Sequence, residues 1–496
     1  MITALPELPR VSTTQLAVRT AAWPIAFLVV ISHTVWADES FPLDARVYAG
    51  LLGALALVSC AYARPHVVPV VQIVLIRFYF AMGFPVFSAP RIFTSFGRVR
   101  LSSQALSNAL LGAVLFVGCF LLIVMLVMRP ARRLSGDILR LLDRKQTYSS
   151  EDTVAARAFA ALAIAISVAN AFRGFGSSAS LGPFSLLTNL LSGAELPLTL
   201  LWWDAYQTRS RTAVVLCWCA VSIISLGALS TGMLGGAVFP WLAAILLSWT
   251  LYGRTPTGLI ITSILAILIV NPAKHAYRQL TWKTGTNVGA LDRAENWAQA
   301  FSSTYADGVL PENAASGVAQ RASSLVQVAH MYEWVPARVP HEGPDAWLRL
   351  PLYFVPTLLW PDRPRPIEEI HKYYWRSFRL LSEKTINEVS ITLPSVGDGY
   401  WRLGWPGVAL EGALLGLIVG FFHGIGRSTS RAATLFGVGY LLQGGGPEGQ
   451  VLSMILALPK TVFVWTVVLL LVQWLPSFFE GAPKTKLAPR RERAPT

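Results

Sequence analysis

Long apolar segments follow one another along most of this chain, and a single long polar stretch interrupts them. The apolar blocks are close to 20 residues long, as at residues 105–128 and 461–479. About 20 apolar residues are needed for a helix to cross the hydrocarbon core of a bilayer. A membrane barrel would instead show alternating segments of about 10 residues. The pattern therefore predicts an all-α, polytopic integral membrane protein.

The apolar blocks predict about twelve transmembrane helices, nine before the polar stretch and three after it. Their bounds are residues 21–37, 47–63, 66–86, 105–128, 154–172, 184–205, 213–229, 232–252, 257–273, 399–423, 432–446 and 452–478. This divides the chain into an N-terminal membrane region (1–273), a polar insert (274–398), a C-terminal membrane region (399–478) and a basic tail (479–496). The insert is far longer than a connection between two helices requires, and long loops usually carry function.

The basic residues of the short loops predict the orientation of the chain. Lys and Arg cluster after spans four, six, eight and ten and in the tail, whereas the alternate loops are poorer in them, residues 87–104 excepted. Basic loops remain in the cytoplasm. We therefore expect both termini, including the basic tail, in the cytoplasm. The insert should lie on the outer side of the membrane.

Composition narrows the function classes. Only 14% of the residues are charged, compared with about 25% in soluble domains. The net charge of +14 fits cytoplasmic arginines and an anionic ligand, so we do not expect nucleic acid. The four cysteines lie in apolar spans, which predicts no disulfide framework. The histidines of the insert are scattered, and we predict neither a metal nor a cofactor.

The insert has the composition of a folded helical cap, because it is rich in Trp and Tyr and disordered segments are not. Residues 312–332 predict an amphipathic helix that ends before Pro336. Residues 347–360 predict an interfacial or re-entrant helix, and another helix should begin at Pro366. Residues 387–396 look extended, and residues 397–399 should turn into span ten.

Three stretches of the insert resemble the bacterial O-antigen and exopolysaccharide repeat-unit polymerases, the Wzy-type proteins. One is the proline- and tryptophan-rich run at residues 355–364, VPTLLWPDRP. The second is TLPSVGDGY at residues 392–400, followed by LGWPG at residues 403–407. The third is the predicted helix that begins at Arg321 and ends near Trp334.

The resemblance implies an inverting, metal-independent glycosyl transfer at the periplasmic face of the bacterial inner membrane, in a GT-C-like architecture. The donor would be a growing glycan on undecaprenyl diphosphate, and the acceptor a new lipid-linked repeat unit. Inner-membrane lipid and a chain-length regulator protein would be its partners.

Such a transfer needs cations for the diphosphate and a base for the acceptor hydroxyl. Arginine binds phosphate in a bidentate manner and stays charged. The predicted diphosphate ligands are Arg321, Arg363, Arg365, Arg77 and Arg402. The predicted catalytic residues are His330, Glu333 and Asp398, since an imidazole or a carboxylate can act as general base.

Each of these assignments has a plainer alternative. The arginines could anchor lipid headgroups, and His330 with Glu333 could be an ordinary surface pair three residues apart on one helix face. Asp398, between two glycines, could simply cap a turn. Four ionisable residues lie inside predicted spans, namely Arg77, Arg157, Glu195 and Glu411. Glu195 could form an ion pair with Arg77 or Arg157.

Two other functions remain open. An O-antigen ligase shares the broad plan but transfers the chain to a lipid A core sugar. A transporter or flippase belongs to a different class, and a twelve-span transporter should show related halves with its longest break near the middle. Here the break follows span nine, and the polar residues concentrate in one outer segment.

Overall fold

A computed structural model describes residues 13–87, 101–142, 157–158, 161, 165, 195–230, 232, 234–253, 256–283, 290–306, 324–355, 360, 376–378, 393–426, 431–442 and 449–479. Within these ranges the chain forms helices, turns and short connections, and no strand occurs. The all-α prediction is therefore confirmed for this part of the chain.

The N-terminal region begins with four helices. They are α1 (Thr13–Trp36), α2 (Leu43–Ala61), α3 (Val70–Phe78) and α4 (Ser103–Leu142). A π-helical turn, Tyr79–Gly83, and a 3₁₀ turn, Phe84–Phe87, extend α3. The 40 residues of α4 are about 60 Å long, roughly twice the thickness of a bilayer core, so α4 must project beyond a membrane that it crosses.

Five more helices are described before the gap at residues 307–323. They are α5 (Glu195–Thr208), α6 (Arg211–Ser230), α7 (Leu234–Tyr252), α8 (Thr257–Lys283) and α9 (Ala290–Thr304). Helix α9 packs on α8, where Trp297 stacks on Tyr277 with ring centres 4.3 Å apart. Helix α8 continues without a break through residues 274–283, past the predicted end of span nine at residue 273.

The remaining helices are shorter until the C-terminal membrane region. They are α10 (Leu325–Trp334), α11 (Asp345–Leu348), α12 (Leu350–Tyr353), α13 (Ser395–Leu403), α14 (Trp405–Ile425), α15 (Arg431–Leu442) and α16 (Val451–Phe479). Helices α13 and α14 are separated only by Gly404, whose φ of 66° and ψ of −146° favour glycine.

Seven described helices are long and apolar enough to cross a membrane. They cover Gln15–Trp36, Leu43–Ala61, Val70–Phe87, Ser103–Ala131, Arg211–Ser230, Thr257–Thr281 and Trp405–Ile425. Three shorter apolar stretches lie in α7, α15 and α16. Large apolar side chains such as Trp23, Phe27 and Trp36 point out of the protein, as expected for a surface covered by lipid. The chain is a polytopic membrane protein.

The centre of the molecule is the contact between α4 and α14. Gly412, Gly416 and Gly420 lie on one face of α14, directly against the backbone of α4 at Phe116, Phe120 and Val124. Small residues at this spacing allow two membrane helices to approach closely. Helices α3, α13, α15 and α16 pack around this pair, and α1 lies outside it against α2.

Span ten begins later than predicted. Residues 397–399 do not turn into the membrane helix but lie inside α13, and the break comes at Gly404. Residues 395 and 396 are helical rather than extended, while 387–392 lie outside the described residues.

Two predictions for the insert also need correction. Helix α10 has no solvent-facing polar side, because residues from Leu325 to Tyr332 are all buried and most join the core of the membrane helices. Residues 347–353 form the end of α11 and the short α12 rather than one continuous helix, and residues 356–359 lie outside the described residues. The helix predicted from Pro366 and most of spans five and six lie outside the described residues.

Candidate functional site

Two of the stretches that carry the resemblance meet in space. Helix α10 packs on α13, and the Tyr332 and Tyr400 rings stack with their centres 3.7 Å apart. Met331 lies directly against Gly397, so the glycine is needed for this close approach. Residues about 70 positions apart in sequence thus form one helix pair, and α4 packs on both members.

The helix pair lies at one end of the membrane helices. The amide of Ser324, just before α10, donates to the carbonyl of Ala81 in the turn after α3 at 2.8 Å. Tyr332 contacts Gly112 near the start of α4. The same end holds the first residues of α14 and α16, because Ser395 donates through its hydroxyl to the carbonyl of Gly449.

A buried charge cluster lies beside this helix pair. The Arg402 guanidinium is 2.9 Å from the Glu342 carboxylate and 3.1 Å from the Asp398 carboxylate. Gln450 donates from Nε2 to Asp398 Oδ1 at 3.3 Å. Glu411 of α14 is fully buried, and it interacts electrostatically with Asp398 and Arg402. We call Glu342, Asp398, Arg402 and Glu411 the buried charge cluster.

Burial and neighbouring charges act against each other in this cluster. Burial would lower the pKa of the Arg402 guanidinium, but Asp398 and Glu342 outweigh it and raise that pKa. Burial raises the pKa of Glu342, and Arg402 offsets part of that rise. Arg402 therefore carries its charge throughout the physiological pH range.

Arg402, a predicted diphosphate ligand, is not exposed to a substrate. Its side chain has no exposed surface and already contacts two carboxylates. Asp398 is equally enclosed, so it is not a simple turn cap between glycines. In this conformation neither side chain can touch a substrate that approaches from solvent. The cluster holds α13 against α14 and against the segment that carries Glu342.

His330 is the described residue best suited to act as a base. It is 3% exposed, and the rings of Trp334 and Phe378 lie 4.7 and 5.9 Å from its own. Burial lowers the pKa of His330 to about 4, although a hydrogen bond with the Phe378 backbone opposes the shift. Its Nε2 has no hydrogen-bond partner among the described residues. The ring is thus neutral at pH 7 with one nitrogen uncommitted.

Glu333 does not orient His330 through a hydrogen bond of its own in the described structure. Its Oε2 accepts from the amide of Ser102 at 3.2 Å and from the Ser102 hydroxyl. Glu333 therefore fixes the start of α4. Its negative charge acts on His330 by raising the pKa of the imidazole, against the effect of burial. A plain surface pair is also wrong, since His330 is buried.

The other predicted phosphate ligands are not brought to this cluster. Arg77 donates from Nη1 to the carbonyl of Leu441 at 3.4 Å, where α3 meets α15. Arg321, Arg363 and Arg365 lie outside the described residues. No group of three or more His, Cys, Asp or Glu side chains within the described ranges is arranged to hold a metal ion.

The ion pair predicted within the membrane has a different partner. Arg157 contacts Asp204 Oδ2 at 2.8 Å, and Asp204 is fully buried. The side chain of Glu195 lies outside the described part of the structure. Asp204 follows Trp202 and Trp203 in an apolar block. An acidic residue in such a block indicates a buried ion pair, and the sequence analysis overlooked this one.

Glu342 and Gln450 were also missed as site residues. Glu342 stands in the run HEGP at residues 341–344, where charged residues precede a turn. Gln450 follows the glycine-rich run at residues 444–449 and ends buried at the start of α16. Both are separated from Asp398 by about 50 residues, and local sequence patterns give no information about contacts over that distance.

Comparison of the chain with protein-family models, with curated proteins and with solved structures found no match.

Proposed function

We propose that this protein is a polysaccharide polymerase, an inverting glycosyltransferase that joins lipid-diphosphate-linked oligosaccharide repeat units at the periplasmic face of the bacterial inner membrane. Twelve transmembrane helices in a GT-C-like arrangement, with both termini in the cytoplasm, belong to this proposal. The observation that carries it is the contact between α10 and α13, which unites two of the three stretches that resemble the repeat-unit polymerases.

The position of the contact supports the proposed side of the membrane. It lies where α3 ends and where α4, α14 and α16 begin. The basic residues near α4 and α14 lie at their opposite ends, for example Arg129, Arg133 and Arg431. Since basic ends remain in the cytoplasm, the α10–α13 contact faces the periplasm, where the lipid-linked repeat units would be.

The proposed roles follow from charge and protonation. Arg321, Arg363 and Arg365 bind the donor diphosphate, and Arg77 stabilises its membrane end. His330 is enclosed by Trp334 and Phe378, so these side chains must move aside when the acceptor binds. Its neutral imidazole then accepts the proton of the acceptor hydroxyl as that oxygen attacks the anomeric carbon. The bond between that carbon and the diphosphate oxygen breaks, and undecaprenyl diphosphate leaves. Asp398, Glu333 and Arg402 hold α13 and α4 in position around the base.

The first test of this proposal is the replacement of a predicted phosphate ligand in cells. Arg321→Ala should abolish long glycan and leave single repeat units, because the leaving group loses its cation. Arg338→Ala is the matched control, since Arg338 is an exposed arginine of the same insert whose guanidinium lies over the Trp334 ring at 5.1 Å. The measurement is glycan length on a gel at equal protein levels.

The outcome separates the proposal from its alternatives. Normal glycan length in Arg321→Ala cells would refute the assigned site. Long glycan that is made but not attached to the lipid A core would indicate a ligase. Solute or lipid flux in proteoliposomes without any glycosyl transfer would indicate a transporter or flippase.

A further inference from the structure

The buried charge cluster is not balanced if all of its groups are ionised. It contains three carboxyl groups and one guanidinium. The side chains of Asp398 and Arg402 have no exposed surface, Glu411 is 0% exposed, and Glu342 is exposed by only 20%. Two negative charges in excess would be costly in such a place, because a buried charge must be paired or neutralised.

The hydrogen-bond donors are shared unequally among the carboxyl groups. Asp398 Oδ1 contacts both Arg402 Nε and Gln450 Nε2, and Glu342 contacts Arg402 Nη1. Asp398 Oδ2 and both oxygens of Glu411 have no hydrogen bond of regular geometry in the described part of the chain. Gly399, next to Asp398, lies directly against the backbone of Gly407, which is one helical turn before Glu411. The orphaned oxygens therefore belong to buried carboxyl groups on two helices that touch at this point.

We propose that the cluster is a proton-binding site, in which Glu411 is the neutral acid and donates its proton to Asp398 Oδ2. One proton then gives partners to an orphaned oxygen on each side and removes one of the two excess negative charges. Because Asp398 lies on α13 and Glu411 on α14, this proton joins the two helices across the break at Gly404. The proposal does not depend on the polymerase function.

Among the groups around Glu411, Asp398 is the one that can accept a hydrogen bond from the Glu411 carboxyl group. Asp398 and Arg402 are the charged groups that act on Glu411 directly. Helix α4 presents Phe116 and Phe120 to this part of α14, and α16 presents Gln450. The polar groups of α10, α3 and α15 have other contacts: His330 packs on Trp334, Tyr332 stacks on Tyr400, and Glu333 accepts from Ser102. Arg77 donates to the Leu441 carbonyl, and Tyr440 stacks on Phe422. The segment before α11 contributes Glu342 and His341, and His341 interacts with the Trp401 carbonyl at 3.1 Å.

A sodium ion is the competing occupant, and the arrangement favours a proton. The Arg402 guanidinium already lies against Asp398, so a cation bound there would be repelled. Gly412, next to Glu411, lies directly against the backbone of Phe116, which leaves little space on that side.

Infrared spectroscopy of the full chain in detergent or lipid tests the proposal, with the spectrum of each variant subtracted from that of the wild type. The wild type at about pH 8, where ordinary carboxyl groups are ionised, should show the carbonyl band of a protonated carboxylic acid. E411Q should lose that band, and E342Q should retain it. E342Q is the matched control because Glu342 contacts the same guanidinium but is partly exposed.

Four results would overturn the proposal. They are no such band in the wild type, a band that persists in E411Q, a band that disappears in E342Q, and a wild-type unfolding temperature that rises with sodium chloride but not with choline chloride. The wild-type measurements decide the matter even if E411Q does not fold. Glycan synthesis is not measured, so failure here is distinct from failure of the proposed function.

Discussion

His330 shows how one residue's surroundings decide its chemistry. On sequence it was one of several candidate bases on a helix thought to face solvent. In the structure it is enclosed by Trp334 and Phe378, and burial lowers its pKa to about 4. A histidine with an ordinary pKa near 6.5 would be partly charged in mildly acidic surroundings, whereas this one remains a neutral acceptor.

The lowered pKa of His330 predicts a pH-dependent stability. The unfolded chain binds a proton at this histidine below about pH 6.5 and the folded chain only below about pH 4, so stability falls as the pH is lowered through this window. The loss should be on the order of 3 kcal/mol by about pH 4. The measurement is the difference between the unfolding free energies of wild type and His330→Gln at each pH. Parallel curves would contradict the prediction.

The individual residues of the buried charge cluster could be predicted only in part. Asp398, Arg402 and Glu411 stood out because they are ionisable residues beside or within apolar segments. Their pairing could not be deduced, because Glu342 and Gln450 come from distant positions and no local pattern records that contact. The sequence analysis likewise offered Glu195 as a partner of Arg77 or Arg157 and did not consider Asp204, which contacts Arg157.

The helices illustrate what hydrophobic patterns record and what they omit. The starts and ends of α2 and α6 lie within four residues of the predicted apolar blocks, since block length and span length have the same physical cause. Helix α1 begins eight residues before its block and α4 ends 14 residues after its block, because polar residues continue both helices. The break at Gly404 was missed, although Gly and Pro406 flank Trp405 there, because α13 and α14 are both rich in apolar residues. The burial of α10 was missed because its partners lie in other elements.

The contact of α4 with α14 predicts a steep sensitivity to side-chain size. A Cβ added at Gly416 would lie 2.5 Å from the Phe120 carbonyl oxygen and 3.1 Å from Ile123 Cβ. Gly416→Leu should therefore force the helices apart and lower stability by roughly 1–3 kcal/mol or more. The measurement is the unfolding temperature of purified protein.

Gly118 provides the control for that substitution. It lies on α4, and a Cβ there meets no atom within 4 Å. Gly118→Leu should leave the unfolding temperature close to that of the wild type. Equal behaviour of the two variants would contradict the close contact between α4 and α14.

The whole molecule is a helical membrane protein in which part of the polar insert enters the core of the membrane helices. Helix α10 shares a hydrophobic cluster with α4 and α14, so the insert is not merely a cap on their ends. Its contact with α13 is at the end opposite to the basic ends of α4 and α14. The position of this end relative to the membrane is therefore the spatial basis of the proposed function.

Cysteine labelling tests the proposed side. In a variant without native cysteines, Arg338→Cys should react with a membrane-impermeant maleimide in intact spheroplasts, because Arg338 is exposed near the α10–α13 contact. Thr257→Cys, exposed at the start of α8, should react only after permeabilisation. The reverse pattern would place the contact in the cytoplasm and contradict the proposal.

The most direct test of the central claim is glycan synthesis by the purified protein. Reconstituted with lipid-diphosphate-linked repeat units and without metal, the wild type should produce a ladder that grows by one repeat unit per step. Arg321→Ala and His330→Ala should produce none, while Arg338→Ala should match the wild type. A folded wild-type protein that yields no ladder from its own organism's lipid-linked repeat unit would contradict the claim.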